Sequence, residues 1–458
     1  MMPADQPVRI AGAGPSGALL AILLERRGFR VELYEARPDP RDGAGDSGRS
    51  INLALADRGI HALREAGVFA EIAPGLVPMR GRMIHALDGS LSFQPYGQRA
   101  AEVIYSISRH RLNQALLRVA ARAPGVSLRF RHRLEGADFG RRSATFRDLA
   151  ADRTVEVPMR PLLGCDGAGS RLRRRMTEDG LIETREQPLD HGYKELTIPP
   201  DALGGHRLER EALHVWPRGE FMLIALPNED GSFTATLFLP MRGPVSFAAL
   251  GEGPAASDFL RANFPDVIDA MPDLDAEFRT HPVGSLGTVY CSAWHSGAAA
   301  ALVGDAAHAI VPFHGQGMNC CFEDCVEFDA LLARHSSWEA LFADFFAARK
   351  ANTDAIAAMA IENYLEMRAR VNDPKFRLQQ ALALELERLH PLRFIPRYAM
   401  VMFHHEIGYR TALERGLVQS RLLVEATRTA DTLQEVDFEL AGRAVLRDLP
   451  PLAAPAPA

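Results

Sequence analysis

The pattern of apolar and polar positions changes character along the chain. Residues 8–11 (VRIA) are a short apolar run, residues 18–27 an apolar stretch of helical length stopped by Gly28, and residues 31–34 a second short run. Two strand-like runs around one helical pattern predict a βαβ unit. Two more apolar runs of strand length stand further on, 161–163 before Gly164-Cys165-Asp166-Gly167 and 298–303 before Gly304-Asp305. Between them, residues 214–239 alternate apolar and polar around the turn signals Pro227-Asn228 and Asp230-Gly231, and residues 79–93 look similar. Alternation of period two predicts half-buried strands, here a mainly antiparallel sheet. From about residue 351 the period turns helical, through 353–371 and 377–389, with later helices expected over 409–426 and 433–446. No internal repeat is found.

Composition narrows the class. A chain of 458 residues with 47% hydrophobic and 24% charged residues is a globular protein of several domains. The formal charge of −6, from 58 acids and 52 bases in mixed order, argues against a nucleic-acid partner. The basic run of residues 171–175 is expected to be a solvated helix face. No apolar run reaches the ~20 residues that span a bilayer, and the first apolar segment is a strand broken by glycines, so neither an anchor nor a signal peptide is expected. The five cysteines are odd in number and form no CxxC pair. They point to small buried thiols in a reducing cytoplasm, with no metal site.

The chemistry sits at the strand ends. After residues 8–11 comes Gly12-Ala13-Gly14-Pro15-Ser16-Gly17, and Glu35 closes the second strand 18 residues past Gly17. In a dinucleotide-binding turn the first glycine allows the tight bend, the second lets the backbone approach a pyrophosphate, and the third lets helix pack on strand. Glu35 is placed to accept from a ribose diol and disfavours a 2′-phosphate, so FAD or NAD suits this turn better than NADP. At 166, an Asp-Gly turn precedes Ser170, which can cap a basic helix. Residues 304–319 read GDAAHAIVPFHGQGMN, and the turn Gly315-Gln316-Gly317 opens a helix-like segment whose N-terminal N–H groups can hold an electron-rich edge. No second GxGxxG follows a strand, so a nicotinamide cofactor has no Rossmann domain of its own.

These three motifs resemble those of the flavoprotein aromatic hydroxylases, with Cys165 where an alanine is expected. Residues 48–55 (GRSINLAL), 80–83 (RGRM), 94–97 (QPYG), 191–196 (HGYKEL), 362–364 (ENY) and 394–398 (FIPRY) narrow the resemblance to the kynurenine 3-monooxygenases, over residues 8–450. The resemblance implies bound FAD, NADPH and O2 as co-substrates, and hydroxylation of L-kynurenine to 3-hydroxykynurenine through a flavin 4a-hydroperoxide. No side-chain nucleophile is expected. It implies cofactor contacts at Gly12, Gly14, Gly17, Glu35, Arg37, Ala54, Arg111, Leu134, Asp166, Asp305, Gly315, Gln316, Gly317, Met318 and Asn319. Arg82 would hold the substrate carboxylate bidentately, which a planar guanidinium does better than lysine. Tyr96, Asn363 and Tyr398 would complete amino-acid recognition, with Glu366 and Met367 on the helix face of Asn363. Phe238, Leu213, Ile224 and Met222 are candidates for an apolar wall, and His314 for a polar wall touching substrate.

The expected fold is α/β: a Rossmann-like FAD domain in segments 1–78, 99–187 and 285–370, a β-sheet substrate domain from 79–98 and 188–284, a helical domain over 371–450 and a disordered tail at 451–458. The protein is expected to be a cytoplasmic monomer or homodimer with no membrane or nucleic-acid partner. Two competing readings are a flavin hydroxylase for a phenol or an anthranilate-like acid, and a flavoprotein without enzymatic activity. A halogenase is disfavoured because no WxWxIP string occurs.

Overall fold

Strand Val8–Ala11 is buried at every position and lies between two parallel partners, Val31–Tyr34 and Leu162–Gly164. Val126–Arg129 extends the sheet on one side and Ala300–Leu302 on the other, with His295–Ser296 as an antiparallel edge. Leu162–Gly164 and Ala300–Leu302 read as unbroken apolar runs because a parallel sheet is covered on both faces, while Arg9 and Glu32 on the first two strands pair at 2.8 Å. Helix Pro15–Arg26 follows the first strand with proline in its opening turn, and packs against helices Arg109–Arg122 and Gly317–Leu332. The computed structural model describes residues 6–43, 52–251, 254–369 and 373–452. Residues 48–51 of the family string and tail residues 453–458 lie outside the described residues.

Contacts group the chain into two units, Met1–Leu76 with Ser106–Leu189 and Leu286–Ala357, and Val77–Tyr105 with Asp190–Ser285 and Ala358–Ala458. The first unit holds the parallel sheet and a meander of His132–Asp138, Ser143–Asp148 and Arg153–Pro158. The sequence reading passed over this meander, because polar and charged residues interrupt its strands and only Ser143–Asp148 buries every second residue, at Ala144, Phe146 and Asp148.

In the second unit, sheet neighbours run Thr184–Ile198, Phe233–Pro240, Met222–Pro227, Ala212–Pro217, Gly81–His85 and Leu91–Pro95. All these pairings are antiparallel except Ala212–Pro217 with Gly81–His85. One face carries Leu196, Trp216, Leu223, Ala225, Ala235 and Leu237, packed with Leu260, Phe264 and Phe278. The last three come from helices Pro254–Asn263 and Leu274–Thr280 and the turn between them, in a segment expected to be mostly strand. Period-two strands bury only one face each, and that face needs such a cover.

The remaining helices are Pro374–Leu389, Arg397–Phe403, Tyr409–Ala426 and Phe438–Asp448. They share a core of Leu378, Leu382, Leu386, Phe394 and Val445 and group with the sheet rather than as a third unit. The helix expected over 377–389 starts three residues earlier, at Pro374, with Asp373 as its cap, and two further helices also differ from expectation. The helix expected over 353–371 is the second half of Trp338–Ala369. The helix expected over 433–446 begins at Phe438, because Asp437 caps it by accepting from Leu440 N at 2.9 Å and leaves Leu433–Glu435 as a separate short turn.

Candidate active site

The first unit forms a cradle whose three glycines differ in kind. Gly12 has φ +101°, and a Cβ there would stand 2.3 Å from the Cys165 carbonyl oxygen. A Cβ on Gly17 would stand 2.0 Å from the Gly12 carbonyl oxygen, so both glycines are demanded by close backbone approach. Gly14 has ordinary backbone angles, and a Cβ there meets nothing within 4 Å. The fold itself therefore does not need glycine at 14, and the space beside it is open. Beside this turn Glu35 accepts from Ala13 N and Arg37 N, each at 2.9 Å, which fixes the carboxylate at the strand end. Arg37 and Arg111 are exposed, whereas Leu134 is buried opposite Phe146 in the meander.

Asp166 turns one oxygen to the first turn of helix Arg171–Glu178, accepting from Arg171 N at 2.7 Å and Leu172 N at 3.3 Å. Its Oδ1 is buried with no hydrogen-bond partner. Burial raises its pKa above the ordinary carboxylate value, against the lowering effect of Ser170 and those backbone donors. Ser170 caps the same helix by accepting from Arg173 N at 3.0 Å, as its sequence position predicts. The basic run, however, is not a wholly solvated face. Arg173 is buried and donates to the Ala306 carbonyl at 3.0 Å, tying this helix to the turn at 305. The same guanidinium also donates to the Ala168 carbonyl, its planar fork of donors serving separate acceptors.

Asp305 opens the one-turn helix Asp305–His308 and is half-buried. Gly315 has φ +67°, and a Cβ there would sit 3.0 Å from Ala54 Cβ. Helix Gly317–Leu332 starts directly after, so the N–H groups of Gly317, Met318 and Asn319 are the orphan donors of its first turn. The Asn319 side chain is committed elsewhere. It donates to Ala54 O and Gly315 O at 2.8 Å each and accepts from Ala56 N at 2.9 Å. That leaves the Asn319 backbone N–H, not its side chain, to meet a cofactor. Gln316 is fully buried. An unpartnered carboxylate oxygen, an open glycine and a free helix N-terminus fit a phosphate-bearing group with hydroxyls and a polar ring edge.

The second unit places Arg82 on the sheet face opposite its helix-covered core. Register pairs Arg82 with Leu213, Val215 with Ile224, and Met222 with Phe238, so the guanidinium shares one face with the four apolar candidates. Its neighbours in sequence behave differently: Arg80 pairs with Glu211 at 2.6 Å and Arg99 with Glu102 at 2.7 Å. Arg82 is nine-tenths buried, and Glu366 at 3.9 Å is the one acid within ion-pair reach among the described residues. Its Nε is buried with no hydrogen-bond partner. Tyr96 and Tyr398 stack with centroids 5.4 Å apart, and the guanidinium carbon lies 5.8 and 5.0 Å from the two ring centroids.

Burial would lower the Arg82 pKa, but Tyr398, Tyr96 and Glu366 outweigh it and hold the pKa above its ordinary value. Burial also drives the Tyr96 pKa well up, helped by Tyr398, so that hydroxyl stays a proton donor. A buried cation with a vacant donor costs about 1–3 kcal/mol or more unless an anion meets it. Asn363 lies on the helix of Glu366 and donates to Met367 Sδ at 3.3 Å. His314 belongs to the other unit, buried in the short turn Pro312–His314.

Sequence reasoning missed Asp324, His308 and Arg349, three buried polar groups behind the Asp305 turn. The local signal is weak, since Asp324 is one of four acids, with Glu323, Glu327 and Asp329, in the stretch around Cys320, Cys321 and Phe328. The five cysteines are free and buried, in line with their reading as small core thiols. Burial raises the thiol pKa of Cys320, Cys321 and Cys325 well above the ordinary value.

Comparison with known proteins bears on the family and the fold. The family described as FAD binding domain matches residues 5–341. The kynurenine 3-monooxygenase of Stenotrophomonas maltophilia (strain K279a) is 48% identical over 449 residues, 98% of both chains. That of Myxococcus xanthus (strain DK1622) is 46% identical over 445 residues, 97% of this chain and 96% of its own. Among solved structures, 2-methyl-3-hydroxypyridine-5-carboxylic acid oxygenase superposes with a TM-score of 0.64 at 20% identity, covering 81% of this chain and 94% of its own. PqsL of Pseudomonas aeruginosa, described as a probable FAD-dependent monooxygenase, gives 0.62 at 20% identity, covering 80% and 97%.

Proposed function

The chain belongs to the kynurenine 3-monooxygenase family of FAD-dependent aromatic hydroxylases, and from that premise we propose that it converts L-kynurenine to 3-hydroxykynurenine with NADPH and O2. The observation that carries the substrate assignment is Arg82, a buried guanidinium with a vacant Nε beside two tyrosines. Kynurenine presents an α-carboxylate to such a donor, and the Tyr96 and Tyr398 hydroxyls add to its recognition. Glu366 and Asn363 stand nearby for the α-ammonium.

FAD, when bound, supplies the redox chemistry and the oxygen transfer. Gly12, Gly14 and Gly17 would admit its pyrophosphate, Glu35 its ribose, Asp166 and Asp305 its hydroxyls, and the N–H groups of Gly317–Asn319 its ring edge. The remaining work of the protein is placement. The amino group of kynurenine directs attack ortho and para, and its acyl group directs meta. Both favour ring positions 3 and 5, so ring electronics does not choose between them. Anchoring the carboxylate on Arg82 makes that choice by geometry. Phe238 and Met222, apolar and buried on the same face, exclude water from the ring. Five buried free thiols support a reducing, cytoplasmic setting.

The decisive experiment is NADPH consumption by the FAD-loaded protein with and without L-kynurenine, with the product identified by mass and chromatography. Kynurenine-dependent oxidation yielding 3-hydroxykynurenine is expected. Stimulation by a phenol or an anthranilate-like acid in its place, or an unhydroxylated product, overturns the proposal.

A further inference from the structure

Both ends of the one-turn helix Asp305–His308 are held by a single oxygen atom. Asp324, fully buried on helix Gly317–Leu332, accepts at its Oδ2 from Gly304 N at 3.1 Å and from the His308 ring at Nε2, 2.6 Å away. Its Oδ1 accepts from Arg349 Nε at 2.7 Å. Gly304 precedes the turn with φ +66° and ψ −142°, a backbone conformation that costs a non-glycine residue, and His308 ends it. Four residues do not sustain a helix unaided, because nucleation fixes more dihedrals than its hydrogen bonds repay. Asp305 therefore points where it does because something outside the turn holds Gly304 and His308 in register.

The charges behind this contact are balanced. Arg349 also reaches Glu323 at 2.6 Å, and Glu323 pairs with Arg58 at 2.7 Å, so two carboxylates face two guanidiniums in the core. Burial works against ionisation of Asp324, but His308 and Arg349 outweigh it and keep its pKa below the ordinary value. An ionised carboxylate is what the geometry needs. It is acceptor-only, and all three groups that meet it are donors.

We propose that Asp324 is a positioning residue for FAD, clipping the turn at Gly304 and His308 so that the Asp305 carboxylate is held for the cofactor. This rests on the reading of Asp305 as a cofactor ligand, which the same experiment separates. In Asp324→Asn, one oxygen remains for three donors, and the amide nitrogen faces a donor whichever way it turns. The turn loosens while the helix and its packing persist.

FAD dissociation constants would be measured by flavin fluorescence on apoprotein of the wild type, Asp305→Ala, Asp324→Asn and the double variant, with near-ultraviolet circular dichroism as a check on folding. Each single variant is expected to bind FAD about tenfold or more weakly, and the double variant within about threefold of Asp305→Ala. Multiplicative losses in the double variant mean that Asp324 acts independently of Asp305 and overturn the proposal, as does wild-type affinity in a folded Asp324→Asn. Wild-type affinity in Asp305→Ala instead removes the Asp305 reading itself. If Asp324→Asn does not fold, His308→Gln and His308→Leu carry the test. Glutamine keeps an N–H donor and should hold FAD more tightly than leucine; equal affinities overturn the clip.

Discussion

Arg82 differs from the arginines around it by what it lacks. Arg80 has Glu211 at contact distance on the surface, where such pairs contribute ~0–1 kcal/mol, and the exposed Arg99 pairs with the buried Glu102. Arg82 is buried with its acid at 3.9 Å, so an incoming carboxylate meets a desolvated, preorganised donor. Arg82→Ala is expected to weaken kynurenine saturation by about a hundredfold or more while the protein keeps FAD, which initial-rate kinetics and the flavin-to-protein ratio check together. Normal saturation removes Arg82 from the site. Gly14 yields a second prediction. Its added Cβ meets no protein atom, so Gly14→Ala should fold as the apoprotein does but lose FAD affinity by about tenfold or more. A loss of apoprotein stability would show that glycine serves the fold. Residue identity was legible here through motif and resemblance; burial of one arginine among three was not, because it depends on chain that is remote in sequence.

At the scale of elements, the second unit's sheet carries a buried polar chain on its helix-covered face. His214 Nε2–H meets Glu209 O at 2.8 Å, which leaves its Nδ1 to accept from His85 Nε2–H at 2.9 Å. His85 Nδ1 then faces Asp266 at 2.6 Å, and Trp216 donates to the same carboxylate at 2.8 Å. Burial pushes the His214 pKa down to about 4. In the unfolded chain it takes a proton near pH 6.5, so between those values the unfolded state binds more protons and the fold loses stability as pH falls. The loss amounts to something on the order of 3 kcal/mol by pH 4, with none above pH 7. Asp266, held low by His85 and Trp216 against its burial, loses its contribution only at more acid pH still. Urea unfolding from pH 7 to 4.5 should show this decline, and His214→Gln should flatten it; an unchanged slope in the variant rules out His214 as its source. Elements with strong periods, such as Val8–Ala11 and Val31–Tyr34, were legible to the residue. Helix starts such as Phe438 were not, since a cap by Asp437 competes with apolar spacing that runs straight through it.

At the scale of the molecule, the proposed FAD site draws on segments that are far apart in sequence but lie within one unit: Gly12 to Glu35, Asp166, and Asp305 to Asn319. A ligand that binds only the folded state stabilises it by about 2.7 kcal/mol at a hundred times its dissociation constant. Apoprotein should accordingly melt several degrees below the FAD-saturated protein, and calorimetry showing equal melting temperatures would contradict a native-state site built from these segments. Among the described residues no helix is long and apolar enough to cross a membrane. The glycine turns of the proposed cofactor side could be read from the chain alone because backbone shape defines them. Glycines at set spacing, a strand before and a helix after are local facts that consecutive residues decide. The substrate side and the clip behind Asp305 were decided only in three dimensions. Whether Arg82 is buried, or Asp324 reaches Gly304 and His308, depends on packing between elements, and a charged residue carries no mark in the sequence of the partners that folding will bring to it.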